Sequence, residues 1–390
     1  MAKNIVFCAD GTWKGLGHSQ GDGDELQADA TNVLRLFAAL AGAVTPDSLR
    51  KQDEQEKVAL GPDGGATQVA KYLHGVGDSG NAIRKILGGV FGEGFIERIV
   101  RGYTFVSRNY QPGDRIYLAG FSRGAYTVRA LGGMIAAMGL LPPDAMRADD
   151  GSYDAAKAYG LGIHVWAEYR RRAGKASTLL GYLEEFKSRR IDPARLVQGV
   201  GIEAIGVWDT VGSLGVPLYD PADAKKIDVF EFADRALSPK VRSGFHAIAI
   251  DEQRGDFEPT LWDARDGVHQ RWFCGAHADV GGGYPTQDLS GFALDWMMAF
   301  DSALMTKRGD TPDSPSSGAF SLLRTRSASE WCTPSTSSPA WMRTRRASSL
   351  SRSSPSCRRL STANTAAACS TCGSRWTLRK AGAAARISLW

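Results

Sequence analysis

The segment Arg115 to Met138 constrains the chain more than any other. Arg115-Ile116-Tyr117-Leu118-Ala119 has the pattern of a short buried strand, Gly120-Phe121-Ser122-Arg123-Gly124 follows without a spacer, and Ala125 to Met138 continues at helical spacing. A strand that becomes a helix across five residues must turn sharply. Such a turn holds its central serine in a strained conformation with the hydroxyl exposed, and the flanking glycines let strand and helix approach each other. GxSxG alone occurs in many ordinary Gly-rich turns. The strand before it and the helix after it are what point to a nucleophilic serine.

The chain around this unit alternates strand-like and helix-like runs, the pattern of a mostly parallel sheet with helices on both faces. Strands are expected at Ile5 to Ala9, Val69 to Gly75, Arg115 to Ala119, Ile202 to Trp208, Phe245 to Ile250 and Arg271 to Cys274, all short and apolar. Phe95, Ile96, Ile99, Val100, Tyr103 and Val106 predict a helix that closes before Pro112-Gly113. The expected fold class is α/β, of the α/β-hydrolase type. A polar insertion at about 142–195 carries helical stretches at Ala155 to Arg172 and Leu179 to Ser188, and reads equally well as a cap over the site or as a long surface crossover.

The formal charge of +5 would suggest an anionic partner if it were spread evenly, but it is not. Residues 308–390 hold 13 Lys and Arg against 3 Asp and Glu, which leaves residues 1–307 near −5 and without the basic footprint of a nucleic-acid-binding protein. From Gly309 onward there are 19 serines, no valine, no tyrosine and one isoleucine, Ile387, so apolar periodicity is lost. The expected organisation is a hydrolase domain at 1–307 and a Ser/Arg-rich tail at 308–390. That tail reads as disordered, or as the product of a reading-frame change near 305–320. Its Cys369-Ser-Thr-Cys372 has no second cysteine pair to complete a metal site. Cys8 and Cys274 lie in apolar runs and are expected to be buried thiols. No run reaches the roughly 18 apolar residues of a membrane span, and the apolar start is too short for a signal-peptide core. A cytoplasmic protein is expected, with non-classical export compatible with the same residues and any lipid contact confined to a surface.

A serine hydroxyl needs a histidine base, and the histidine needs a carboxylate to fix its tautomer. In chain order after Ser122, Asp209 ends the strand pattern Ile202 to Trp208, where open α/β sheets collect their functional residues. His277 follows the strand Arg271 to Cys274 on a segment read as a flexible loop. His18, His74, His164, His246 and His269 are weaker bases by position, and Asp251, Asp263 and Asp279 are competing acids. For the oxyanion, the backbone N–H of Arg123 offers one donor, and Gly11 or Thr12 after the first strand offers a second, with Asp10 orienting that loop. Gly88 to Gly94 lacks a Lys-Ser/Thr ending and reads as a mobile loop rather than a phosphate cradle. No cofactor and no metal is expected. A metal-assisted phosphoesterase built on Asp10, Asp209, His277 and Asp279 would leave the serine turn unexplained.

With those residues in hand, the sequence resembles a family of α/β-hydrolase-like proteins that includes the class-one phospholipase effectors of type VI secretion. The resemblance runs through Phe7 to Trp13, Thr31-Asn32-Val33, Gly120 to Tyr126, Val207 to Gly212, His246 to Trp262 and His277 to Tyr284, or about residues 3–300. It implies a Ser-Asp-His set on Ser122, Asp209 and His277, and it implies a secretion or immunity partner. The tail matches nothing in that family, and the long membrane-associating portion of the secreted effectors is missing from the sequence. The expected activity is cleavage of carboxylic esters, lipid acyl esters included, with peripheral membrane contact. The alternative is a catalytically silent α/β-hydrolase fold that acts as a binding module.

Overall fold

The structure is a computed structural model, and it describes residues 2–11, 30–48, 51, 53–75, 91–173, 191–211 and 236–306. The expected helix Leu179 to Ser188, residues Thr12, His18 and Gly88 to Val90, and the tail with its boundary at 307/308 lie outside the described residues.

The strands are β1 (Asn4–Ala9), β2 (Ala43–Val44), β3 (Glu54–Leu60), β4 (Ala66–Leu73), β5 (Arg115–Phe121), β6 (Ile202–Trp208), β7 (Val241–Ala249) and β8 (Val268–Phe273). They form one sheet in the order β2-β3-β4-β1-β5-β6-β7-β8. The six strands from β4 to β8 in that order are parallel, and β2 and β3 add an antiparallel edge. The helices are α1 (Asn32–Ala39), α2 (Phe91–Asn109), α3 (Arg123–Met138), α4 (Ala155–Arg172), α5 (His277–Gly281) and α6 (Asp288–Thr306).

Every residue of β1 is buried because the sheet is covered on both faces. Ile5, Phe7 and Ala9 point into the core beneath α2, α3 and α4, while Val6 and Cys8 point into the core beneath α1 and α6. That two-sided burial explains why the parallel strands read as continuous apolar runs rather than as alternating ones. It also completes the α/β-hydrolase-like arrangement expected from the sequence.

Three details differ from expectation. The strand β3, Glu-Gln-Glu-Lys-Val-Ala-Leu, opens with four polar residues and was not among the expected strands, yet Glu54 and Glu56 pair with Lys71 of β4 and with Arg101 and Arg108 of α2, so ionic side chains fasten this edge. Phe91 to Gly94, read as part of a mobile loop, are the first turn of α2. Cys8 is buried but Cys274 is exposed, because β8 is an edge strand that ends one residue before it. Within the insertion, α4 packs on α2 and on the C-terminal half of α3, where Gly133 lies against the Tyr169 hydroxyl.

The chain order sets the position of the site. From β1 the chain builds β4 on one side of β1 and then returns to lay β5 on the other, so the connections diverge between β1 and β5. Ligand sites of open parallel sheets collect outside the carboxyl ends of strands at such a divergence. Here those ends carry Gly11 and Ser122.

Candidate active site

Ser122 sits between β5 and α3 with φ 57° and ψ −121°. Its N–H donates to the Trp208 carbonyl at 3.1 Å, and its carbonyl accepts from the Tyr126 N–H at 3.2 Å, so β6 and α3 hold the strained residue from both sides. The glycines do what the sequence requires of them: a Cβ at Gly120 would come within 2.5 Å of the Gly124 carbonyl, and one at Gly124 would collide with the Ala9 carbonyl. The N–H of Arg123 belongs to the first turn of α3, where amides have no acceptor within the helix and the helix dipole favours negative charge.

Asp209 leaves β6 with φ 39°, and Ser122 and Asp209 are the only non-glycine residues with positive φ among the described residues. Strain of this kind costs on the order of 1–3 kcal/mol per residue and persists only where the surroundings enforce it. The enforcement at Asp209 is visible. Its N–H donates to Ala247 O at 2.7 Å, and its Oδ1 accepts from the Ala249 N–H at 2.9 Å. Its Oδ2 lies 2.7 Å from His277 Nδ1.

His277 begins the short helix α5 rather than lying on a flexible loop, which departs from the sequence reading. Its ring packs 4.6 Å from the Phe121 ring and 4.9 Å, edge-on, from Phe257. Phe121 precedes Ser122 in the chain, so one aromatic side chain joins the strained serine to the imidazole. The His277 N–H donates to Glu252 Oε2 at 3.2 Å, and hydrogen bonds from Arg254, stronger than the opposing effect of burial, pull the Glu252 carboxyl down to about 2. All three side chains are nearly closed off, with Ser122 and His277 each 7% exposed and Asp209 1%.

The loop after β1 approaches the serine from the other side. A Cβ on Gly11 would meet Ser122 Cβ at 2.9 Å and Oγ at 3.4 Å, so glycine alone allows this approach. The Gly11 N–H donates to Asp10 Oδ1 at 2.9 Å, which commits that amide to the loop. Asp10 also accepts from the Thr31 hydroxyl and, at 2.7 Å, from Tyr72. Burial raises its pKa, and the three hydrogen bonds and the charge of Arg98 act against that rise. Arg98 donates to the Asp10 and His74 carbonyls, each at 2.6 Å, and burial pushes its own pKa down to about 10.

Arg98, Tyr72, Glu252 and Phe257 were missed in the sequence. Each lies far in the chain from the residue it supports: Glu252 and Phe257 fall inside the block His246 to Trp262 and Tyr72 inside an expected strand, but no local signal gives any of them a partner at the site. The competing residues have other partners: Asp251 accepts from the Gly275 N–H, Asp279 from the Ala276 N–H, and His246 Nε2 accepts from the Thr210 N–H at 3.1 Å. Burial and the charge of Arg129 push His246 down to about 3, which keeps it neutral. Among the described residues no group of three or more His, Cys, Asp or Glu gathers so as to hold a metal ion, so Asp10, Asp209, His277 and Asp279 do not form the set a metal reading needs. No described helix is long and apolar enough to cross a membrane.

Residues 3–300 match the family model of the type VI secretion system phospholipase effector Tle1-like catalytic domain. An uncharacterized protein of Saccharomyces cerevisiae is 26% identical over 277 residues, which are 66% of this chain and 32% of the yeast protein, so the chain spans about a third of that relative. Among solved structures, an uncharacterized protein from Pseudomonas aeruginosa is 16% identical with a TM-score of 0.38, covering 82% of this chain and 46% of that one. A Tle1 effector bound to the VgrG spike of the type VI secretion system is 17% identical with a TM-score of 0.36, covering 78% and 60%. The carboxylesterase Cest-2923 from Lactobacillus plantarum WCFS1 is 13% identical with a TM-score of 0.31, covering 79% and 86%.

Proposed function

Because the chain belongs to the Tle1-like catalytic-domain family of type VI secretion phospholipase effectors, we propose that it is a serine hydrolase cleaving carboxylic esters, with lipid acyl esters as its substrates. The observation that carries this reading is the 2.7 Å contact between Asp209 and His277 at the sheet edge that also bears the strained Ser122. Ser122 Oγ attacks the ester carbonyl carbon while its proton passes to His277 Nε2, and an O–C bond forms. The tetrahedral intermediate collapses with cleavage of the ester C–O bond, and His277 returns the proton to the leaving alcohol. Water then hydrolyses the acyl-serine by the same path in reverse. Asp209 holds Nδ1–H and so reserves Nε2 for the proton.

The developing oxyanion is held by the Arg123 N–H and by the loop at Gly11 and Thr12. The Gly11 amide donates to Asp10, and the absence of a Cβ at Gly11 gives this loop its close approach to the serine. The chain meets lipid as a peripheral protein, starts in the cytoplasm and leaves through a secretion partner.

The test is labelling by a fluorophosphonate probe together with hydrolysis of short p-nitrophenyl esters and of phospholipid vesicles. The parent protein is expected to react and Ser122→Ala to lose both signals. Labelling that persists in Ser122→Ala would remove the serine from its role. A folded parent that neither labels nor hydrolyses would leave a binding module on a hydrolase fold.

A further inference from the structure

We infer that His246, which stands outside the set Ser122, Asp209 and His277, is a positioning residue for Asp209 and acts by accepting the hydrogen bond of the Thr210 amide. The inference rests on the hydrolase reading of that set, and it starts from the backbone where β6 ends.

Neighbouring amides of a strand inside a parallel sheet point to opposite sides. The Asp209 N–H keeps to this pattern and donates to Ala247 O on β7 at 2.7 Å. The Thr210 N–H would face β5, but there the chain has already turned into α3 at Ser122. With φ at 39°, Asp209 swings the next peptide away from that side. The Thr210 N–H then meets His246 Nε2 at 3.1 Å, and the Thr210 carbonyl accepts from the Thr260 N–H at 3.0 Å. Thr210 and His246 are both fully buried, so water cannot replace an acceptor lost there.

The strand β7 therefore grips the strained turn through the Ala247 carbonyl, the Ala249 N–H on Asp209 Oδ1, and the His246 side chain on the peptide that follows. The other carboxylate oxygen, Oδ2, is the one that reaches His277. His246 is braced in its turn. It pairs in register with Gln270 of β8, and its ring stands edge-on to Trp262 at 5.8 Å. Gln270 fixes the Trp262 backbone, accepting from its N–H at 2.8 Å and donating to its carbonyl at 2.9 Å. Only a neutral imidazole has a lone pair for the Thr210 amide, and burial together with the charge of Arg129 keeps the ring neutral. If the peptide after Asp209 slips, the carboxylate rotates with it, and a displacement of about 1 Å at a reacting group can cost about 10² in rate.

Three substitutions separate positioning from packing. Glutamine carries its oxygen as far from the backbone as histidine carries Nε2, asparagine stops one atom short, and leucine fills the space without an acceptor. His246→Leu and His246→Asn should lower kcat on a p-nitrophenyl ester about tenfold or more with KM within about twofold, and His246→Gln should recover most of the loss. A residue that only packed would rank leucine above glutamine. A second readout needs no turnover. The downfield proton resonance of the short bond from His277 Nδ1 to Asp209, identified by its loss in His277→Gln, should be sharp in the parent and in His246→Gln and broadened by exchange in His246→Leu. A parent that shows the resonance but hydrolyses nothing would end the hydrolase reading, and the resonance alone would then decide the role of His246. If His246→Leu fails to fold, His246→Asn against His246→Gln gives the same comparison. A folded leucine or asparagine variant that matches His246→Gln in kcat, or in the resonance where the parent is inactive, would overturn the proposal.

Discussion

Asp209→Asn tests the candidate site most sharply because the structure dictates how the new amide must sit. The two oxygens of Asp209 face two donors: the Ala249 N–H at 2.9 Å and His277 Nδ1 at 2.7 Å. An asparagine has one acceptor. Turned toward the Ala249 amide, which cannot move without breaking the end of β7, its oxygen leaves the NH2 group facing His277. The imidazole must then present Nδ1 as an acceptor and carry its proton on Nε2, the tautomer that cannot take a proton from Ser122. The Ser-His-Asp template puts the cost of this tautomer change at about 10⁴ in kcat, or about 5.5 kcal/mol at ~1.4 kcal/mol per tenfold. Stability should fall by only about 1 kcal/mol, since one hydrogen bond is exchanged for another of the same length. The assay is single-turnover acylation by a p-nitrophenyl ester, with urea melts as the control for folding. A folded Asp209→Asn protein acylated within tenfold of the parent rate would refute the reasoning, because a positioning role for Asp209 leaves no room for so small a loss.

Ser122→Gly should abolish hydrolysis and yet raise stability by roughly 1 kcal/mol in thermal melts, since glycine accepts φ 57° without strain; a lower Tm would show that the serine is not strained. His246, with a folded pKa of about 3 against an ordinary 6.5, binds its proton in the unfolded chain first. Its contribution to stability is therefore intact above pH 6.5 and declines as pH falls toward 3, by about 1 kcal/mol per pH unit. Urea melts at pH 7 and pH 5 should show a larger loss in the parent than in His246→Asn, and equal losses would contradict the assignment. Asp10→Asn removes an acceptor from a residue that serves three donors, so it should cost about 2 kcal/mol of stability and lower kcat more than it changes KM. An unchanged kcat in the folded variant would detach Asp10 from the loop it is argued to hold.

The fold was largely legible because its signals are local. Two-sided burial writes each parallel strand as an apolar run, and the strand-to-helix turn at Ser122 announces itself through two glycines within five residues. The β3 edge was illegible for the complementary reason: Glu54 and Glu56 stabilise a strand only through cations on β4 and α2, and nothing in the run itself says that those partners exist. Asp209 and His277 could be named as the ends of two strands, but the contact between them could not. It depends on β6, β7 and β8 aligning so that Trp208 pairs with Ala247 and Ala249 with Phe273, and on the backbone strain at Asp209. The same holds for Arg98, which clamps two carbonyls 24 and 88 residues away. What lies within one turn of chain, the sequence alone determined. Which distant side chains meet was decided by sheet order and register, because hydrogen bonds a few ångströms long respond to position in space rather than to separation along the chain.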